Sequence, residues 1–271
     1  MKILVLGLNY APEKIGISVY TSGMAEKLSE IGHDVKVVVG NPYCPSWKIH
    51  EGYKMWKGSC KNENCVNVRR VVHYIPKNPT GVKRVMHHIR FAVTSFFPVM
   101  FRALFWRPDI VFTVAPSLMS SPNAWLAAKL AGGKSWLHVQ DFEVEASFAT
   151  GLLNNGIIAE KISLALERKI FSLFDKVSSI SPQMCKKLLE KGVAQSKIYE
   201  FRNWSDVDVI RPMTMPSPYR KEWGITTPHV ALYSGNIANK QGIEIIVEVA
   251  RILGSGPIKG DSPCGDDVIH W

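Results

Sequence analysis

A chain of 271 residues, 46% hydrophobic and 21% charged, has enough apolar side chains for one large α/β domain and part of another, which excludes a disordered polymer. Its formal net charge of +10 calls for an anionic partner: a nucleic acid, a phosphorylated substrate or an acidic membrane face. The 5 cysteines are scattered without a short-domain framework and read as reduced thiols.

The run from Met1 to Gly7 is short and apolar and lacks a cleavage site. It reads as a buried first strand, Lys2–Leu8, and the cytoplasm follows as the expected compartment. A loop through Pro12 and Gly16 leads into a helix from about Ser18 to Ile31, with Ser18 as the expected N-cap and Gly32 ending it. Val35–Val39 is the second strand. A polar segment follows that holds Cys60 and Cys65; zinc would need two further ligands, and only Cys44 and His50 lie nearby, so no metal is expected. Val68–Tyr74 is the next strand.

From Val82 to Arg107 the chain mixes Phe91, Phe96, Phe97, Phe101, Phe105 and Trp106 with Lys83, Arg84, Arg90, Arg102 and Arg107, and has no acidic residue. Arg90 and Arg102 interrupt it too soon for a membrane span, and Pro98 predicts a kink or a break. Two readings stand: a helix lying in the membrane interface with its arginines on anionic headgroups, or a crossover helix packed on the sheet.

Asp109–Val114 and Ser135–Val139 are strands flanking a helix from Pro122 to Ala131 that Gly132-Gly133 ends. Helices Ile157–Phe174 and Pro182–Lys191 then alternate with strands Lys176–Ile180 and Ile198–Phe201. β-branched and leucine-rich strands alternating with amphipathic stretches predict an α/β fold, a doubly wound parallel sheet covered on both faces, over residues 1–210. Pro212, Pro216, Pro218 and Pro228 mark 211–228 as an interdomain linker. A strand at Val230–Ser234, a loop at Gly235–Lys240 and a helix at Gln241–Leu253 begin a second domain over 229–253, which the Gly/Pro/Asp-rich tail 254–271 cannot complete.

Three loops carry candidate chemistry. Asn9 to Gly16 joins a strand, a glycine and a helix N-terminus, the elements of an anion site; alternatively Gly16 only permits a tight turn. His138-Val139-Gln140-Asp141 lies at the carboxyl end of a strand, where open sheets place ligands. Its histidine and carboxylate can orient hydroxyls or move a proton, or Asp141 can simply satisfy loop amides. Around Gly235, Asn236 and Lys240, an ammonium and helix amides can meet a diphosphate, although such loops often serve turn geometry alone.

Taken in order, Lys2-Ile3-Leu4 through Asn9-Tyr10-Ala11-Pro12-Glu13 and Gly16, then His138-Val139-Gln140-Asp141, Ser179-Ile180-Ser181-Pro182-Gln183-Met184, Arg202-Asn203-Trp204, and Tyr233-Ser234-Gly235-Asn236 with Lys240-Gln241-Gly242, resemble the retaining GT-B glycosyltransferases. Within them the similarity is to the family 4-like enzymes of bacterial colanic-acid and exopolysaccharide synthesis. The resemblance implies two facing doubly wound domains with the site in the cleft between them. It implies transfer of a hexose, with fucose a candidate, from a nucleoside diphosphate sugar to a lipid-linked oligosaccharide, with retention and no metal or other cofactor. By that analogy His138 and Asp141 are catalytic. Gly16, Gly235, Asn236 and Lys240 hold the donor phosphates, and Asn9, Tyr10 and Gln140 meet the acceptor.

The implied partners are the nucleotide sugar, the lipid-linked acceptor and an anionic membrane surface at the inner face of the plasma membrane. Nucleic acid is not expected, because the aromatics lie on an amphipathic stretch and not on a stacking platform. Asn236 stands where the family usually has arginine, and the family's second domain continues further, with a glutamate pair that grips the donor. The expectation is therefore a C-terminally truncated member with weak or no turnover, or else a non-catalytic module for membrane docking or acceptor binding.

Overall fold

The computed structural model describes residues 1–14, 16–142, 156–205, 207–208, 210–226, 230–234 and 242–255, and divides the chain into two units, Met1–Trp204 and Ser205–Trp271. The first unit is built on strands β1 (Lys2–Leu6), β2 (Asp34–Gly40), β3 (Ser59–Glu63), β4 (Val66–Val71), β5 (Ile110–Ala115), β6 (Lys134–Val139), β7 (Lys176–Ser179) and β8 (Ile198–Glu200). They form one sheet in the order β3-β4-β2-β1-β5-β6-β7-β8, parallel except for β3. From β1 the chain winds outward towards β4, then returns to β5 and winds the other way to β8. The reversal lies between β1 and β5, and right-handed crossovers put the helices of the two halves on opposite faces.

Helix α1 (Ile17–Glu30) covers one face, over Ile3, Val5, Val37 and Val68. Helices α2 (Gly81–Phe105), α3 (Ser121–Ala131), α4 (Gly156–Leu173) and α5 (Pro182–Glu190) belong with the other face, where Leu4, Leu6, Val111 and Leu137 meet Phe91, Ala127, Phe171 and Leu188. Alternate residues of one strand thus feed two cores, as the two-residue period of a strand requires. Gly132 closes α3 in the left-handed conformation, φ 75°, and a Cβ on Gly133 would lie 2.4 Å from the Pro108 carbonyl, so the glycine pair is needed for both reasons.

Several expectations are corrected. The edge strand β3 lies in the segment read as a polar loop: Ser-Cys-Lys-Asn-Glu has no apolar alternation, and it pairs with β4 through a turn in which Asn64 and Cys65 take positive φ. Gly16 and not Ser18 is the N-cap of α1; Ser18 sits inside the first turn and its hydroxyl donates to the Glu13 carbonyl. Pro98 lies within α2, which continues through it, so of the expected kink or break there is no break. Two of its arginines turn inward. Arg84 donates to the Pro79 carbonyl and lies over the Trp47 ring, and Arg102 donates to Asn67 Oδ1 and to the Pro98 carbonyl.

In the second unit, α6 (Pro218–Glu222) and α7 (Ile243–Ser255) form, whereas 230–234 carries no regular structure and is not the expected strand. The loop 235–240 lies outside the described residues. Among the described residues no helix is long and apolar enough to cross a membrane.

Behind the carboxyl ends of β2 and β4, the His73 and His87 rings meet at 4.9 Å, the His87 and His88 rings at 5.2 Å, and Tyr43 touches both His73 and His87. Loss of water pushes His73 and His88 down to about 3 and also lowers His87, so the cluster is neutral at pH 7. Folded pKa values below the unfolded 6.5 mean that the unfolded chain takes up protons first. The stability they contribute is complete above pH 6.5 and is lost as the pH falls towards the folded values. Urea midpoints should therefore drop steeply from pH 6.5 to 5. His73→Gln should remove from that slope about 1.4 kcal/mol per pH unit; an unchanged slope would contradict a buried neutral His73.

Candidate functional site

The loop that follows β1 is pinned on every side. Glu13 is 4% exposed, and its carboxylate accepts from the backbone amides of Tyr43 and Cys44, both at 2.8 Å, and from Asn9 Nδ2 at 3.0 Å. The Ala11 amide donates to Ser22 Oγ on α1 at 2.8 Å, and the Ala11 carbonyl accepts from Arg70 Nη2 on β4. Arg70 is itself buried and also pairs with Glu63 at 2.7 Å. Three elements (α1, β4 and the loop after β2) thereby fix the backbone that leads into α1.

At its end stands Gly16, with φ 57° and ψ −137°, a conformation that L side chains rarely adopt. Gly16 offers no side chain to cap α1, and the first turn of the helix holds no acid. The first turn of a helix carries the positive pole of its dipole, and here it follows a glycine with no side chain.

Two strands away, β6 carries His138. Its ring lies against Phe112 at 5.9 Å and Phe201 at 5.2 Å, and its Nδ1 is 2.9 Å from Ser178 Oγ, which also accepts from Trp136 Nε1 at 2.9 Å. Burial pushes the His138 pKa down to about 4, against a smaller upward pull from a hydrogen bond to the Ser178 backbone. The imidazole is neutral at pH 7, able to donate from one nitrogen and accept at the other. Gln140 and Asp141 follow, half-buried, at the strand end; Asn203 Nδ2 reaches Gln140 Oε1 at 3.5 Å. Trp204 packs edge-on against Tyr20 at 5.3 Å. Tyr20, Thr21, Met24, His138, Gln140 and Trp204 are among the residues that line a narrow cleft here.

The fold therefore gathers α1's first turns with His138 and Gln140, and sets Gly16 and Asp141 at the same sheet edge. With only β5 between β1 and β6, the two loops leave the sheet about 10 Å apart. Asn9 is half-buried and committed to Glu13. Tyr10 is 1% exposed within the core under α1, and its hydroxyl is enclosed; its side chain lies in the core and not in the cleft, which corrects its assignment to acceptor contact. Gly235, Asn236 and Lys240 lie outside the described residues. Among the described residues, no three His, Cys, Asp or Glu are grouped to hold a metal ion.

Sequence reasoning missed Glu13 and Ser178 as site-building residues. A signal for the second was present: serines in the short strand Lys176–Ser179, buried on both faces, require partners. Glu13 gives the clearest test of the clamp. Glu13→Ala leaves two backbone amides without their acceptor and should cost about 2–4 kcal/mol in chemical denaturation, with faster hydrogen exchange at Tyr43 and Cys44. Unchanged exchange at both amides would show that the carboxylate does not hold the loop.

Comparison with known proteins gives the family and the fold. Residues 16–204 match the family of glycosyl transferase 4-like domains. The chain is 40% identical over 271 residues to WcaI of Escherichia coli strain K12, named as a colanic acid biosynthesis glycosyl transferase; the match covers 95% of this chain and 64% of WcaI, so the chain spans a little under two thirds of that relative. Among solved structures, sucrose-phosphate synthase from Thermosynechococcus elongatus superposes with a TM-score of 0.59 at 16% identity, over 96% of this chain and 64% of that one. Anabaena HepE, solved in complex with UDP-glucose, gives 0.56 at 12% identity, over 92% and 57%. At such identities the structures speak for the fold, and they bear out the GT-B-type doubly wound sheet.

Proposed function

Because this chain belongs to the glycosyl transferase 4-like family, we propose that it provides the acceptor-side domain of an enzyme that moves a hexose from a nucleoside diphosphate sugar to a lipid-linked oligosaccharide, with retention. The observation that carries this reading is the glycine-started N-terminus of α1, led in by a pinned loop, at the sheet edge where β6 delivers His138, Gln140 and Asp141.

Each part has a use in sugar transfer. The leaving diphosphate gains negative charge in the transition state, so helix amides and the positive dipole stabilise it more than the ground state. Gly16 presents no Cβ to the approaching phosphates. A neutral His138 can hold a sugar hydroxyl without competing for the charge of the diphosphate, and Asp141 and Gln140 offer further directional contacts to donor sugar or acceptor. Lys240, with Gly235 and Asn236, would meet the diphosphate from the second domain. No cofactor enters this scheme, and fucose is one candidate sugar.

HepE was solved with UDP-glucose and WcaI is named for colanic acid; both support a nucleotide-sugar reading for this chain. An acceptor carried on lipid puts the reaction at a membrane, and we place the protein in the cytoplasm, peripheral at the inner face of the plasma membrane. A non-catalytic docking module would use only α2 and would leave the α1 terminus without a purpose.

The test is transfer by a form of the protein with a complete second domain, assayed with a panel of nucleoside diphosphate sugars and a lipid-linked acceptor. His138→Ala should lower kcat/KM by about 100-fold while the thermal midpoint still shows a folded protein. Unchanged turnover in that variant would remove His138 from the site.

A further inference from the structure

Helix α2 presents an outward face with an unusual composition. Of its 25 residues, eleven are exposed, and nine of those are apolar; the other two are Lys83 and Arg90. Phe105 is 74% exposed, Phe97 73%, Val82 70% and Phe101 62%. Val82, Met86, Ile89, Val93 and Phe97 follow one another at the three- and four-residue steps that form one stripe. Beside it, Ala92, Val93, Phe96 and Phe97 open a shallow apolar groove against Asn123 of α3. The opposite stripe, through His87, Phe91, Ser95, Val99 and Ala103, is already buried within the protein. A helix with one face in the core and a second apolar face exposed needs another apolar phase for the second.

The charges identify that phase. Between residues 64 and 108 the chain has no acidic residue, and Lys83, Arg90 and Arg107 are exposed along α2 and just beyond it. The helix is about 37 Å long, yet it does not qualify as a membrane span, and its apolar stripe is flanked by cations. That is the form of a helix lying in a bilayer interface with its flanking cations on anionic headgroups.

Its direction matters as well. At its start His87 touches Tyr43 and Trp47 of the loop after β2, at the carboxyl edge of the sheet. Just past its end Trp106 Nε1 donates to Asp34 Oδ2, at the amino end of β2. The stripe therefore begins at the edge that carries the cleft and runs away from it.

We propose that the outward face of α2 is a docking surface for an anionic lipid bilayer, with Met86, Ile89, Val93, Phe97 and Phe101 entering the interface while Lys83 and Arg90 meet headgroup phosphates. This deepens the reading of a lipid-carried acceptor, since the surface sets the cleft edge beside the membrane that holds the substrate. The expected residues are thereby revised. Arg84 and Arg102, which point inward, take no part, and Lys83, Arg90 and Arg107 remain.

The experiment is flotation of the full 271-residue chain with vesicles of phosphatidylcholine alone or of phosphatidylcholine doped with phosphatidylglycerol, without donor or acceptor. The wild-type chain should float with the anionic vesicles and lose binding as salt rises. Phe97→Glu with Phe101→Glu should reduce the partition by about tenfold or more, and Lys83→Gln with Arg90→Gln by about fivefold for each charge removed. All these side chains are exposed, so thermal midpoints should stay unchanged, which separates lost docking from lost folding. Absence of flotation, or flotation indifferent to both variants, would overturn the proposal. So would a concentration-dependent dimer in light scattering that Phe97→Glu dissolves, because a second copy would then cover the face. Flotation involves no sugar transfer: its failure leaves the transfer reading standing, and loss of transfer in His138→Ala leaves docking standing.

Discussion

A buried carboxylate is stable only where donors replace the water it has lost. Glu13 has three of them, two being backbone amides of the loop after β2. The rest of the candidate site depends on this interaction, because it joins the loops that follow the neighbouring strands β1 and β2 and constrains the approach to α1. With Arg70 holding the Ala11 carbonyl and Ser22 the Ala11 amide, residues 9–13 have little freedom to adapt to a ligand. Pre-positioned amides cost nothing to reorganise when charge develops, which is the condition for electrostatic stabilisation of a leaving group.

The sheet adds a second constraint. Because the crossovers wind outward from β1 and β5 in opposite directions, the loops at that point diverge and leave a crevice. The structure puts groups of different electrostatic character on its two sides: a helix terminus that favours anions, and a histidine whose burial removes its charge. If His138 carried a proton it would attract a diphosphate to the wrong strand end; kept neutral, it is left for hydroxyl groups. Its support from Ser178, and the Phe112, Phe201 and Trp204 rings around it, make it a fixed element and not a mobile side chain.

Much of this was legible in the sequence for a simple reason. Parallel strands covered on both faces must be continuous apolar runs, and β1, β2, β5 and β6 are such runs, so each was placed to within a residue or two. β3 was not, because an edge strand paired on one side needs no apolar alternation, and Ser-Cys-Lys-Asn-Glu has none. Gly16 was legible as a special backbone position and Ser18 misleading as a cap, since the clamp at Glu13 draws the Ser18 hydroxyl backwards. Tyr10 lies in the motif-bearing loop yet turns into the core. The inward turn of Arg84 and Arg102 likewise depends on long-range partners, the Trp47 ring and Asn67, that helical periodicity does not reveal.

The central claim is that the α1 terminus and the end of β6 form one binding crevice, and amide chemical shifts in this chain, titrated with a nucleoside diphosphate sugar or an acceptor oligosaccharide, address it most directly. The account predicts that Gly16, Ile17 and Ser18 move together with Gln140, Asp141 and the Trp204 indole, along a single binding curve. Shifts confined to one of these groups, or centred at the amino edge of the sheet, would contradict it.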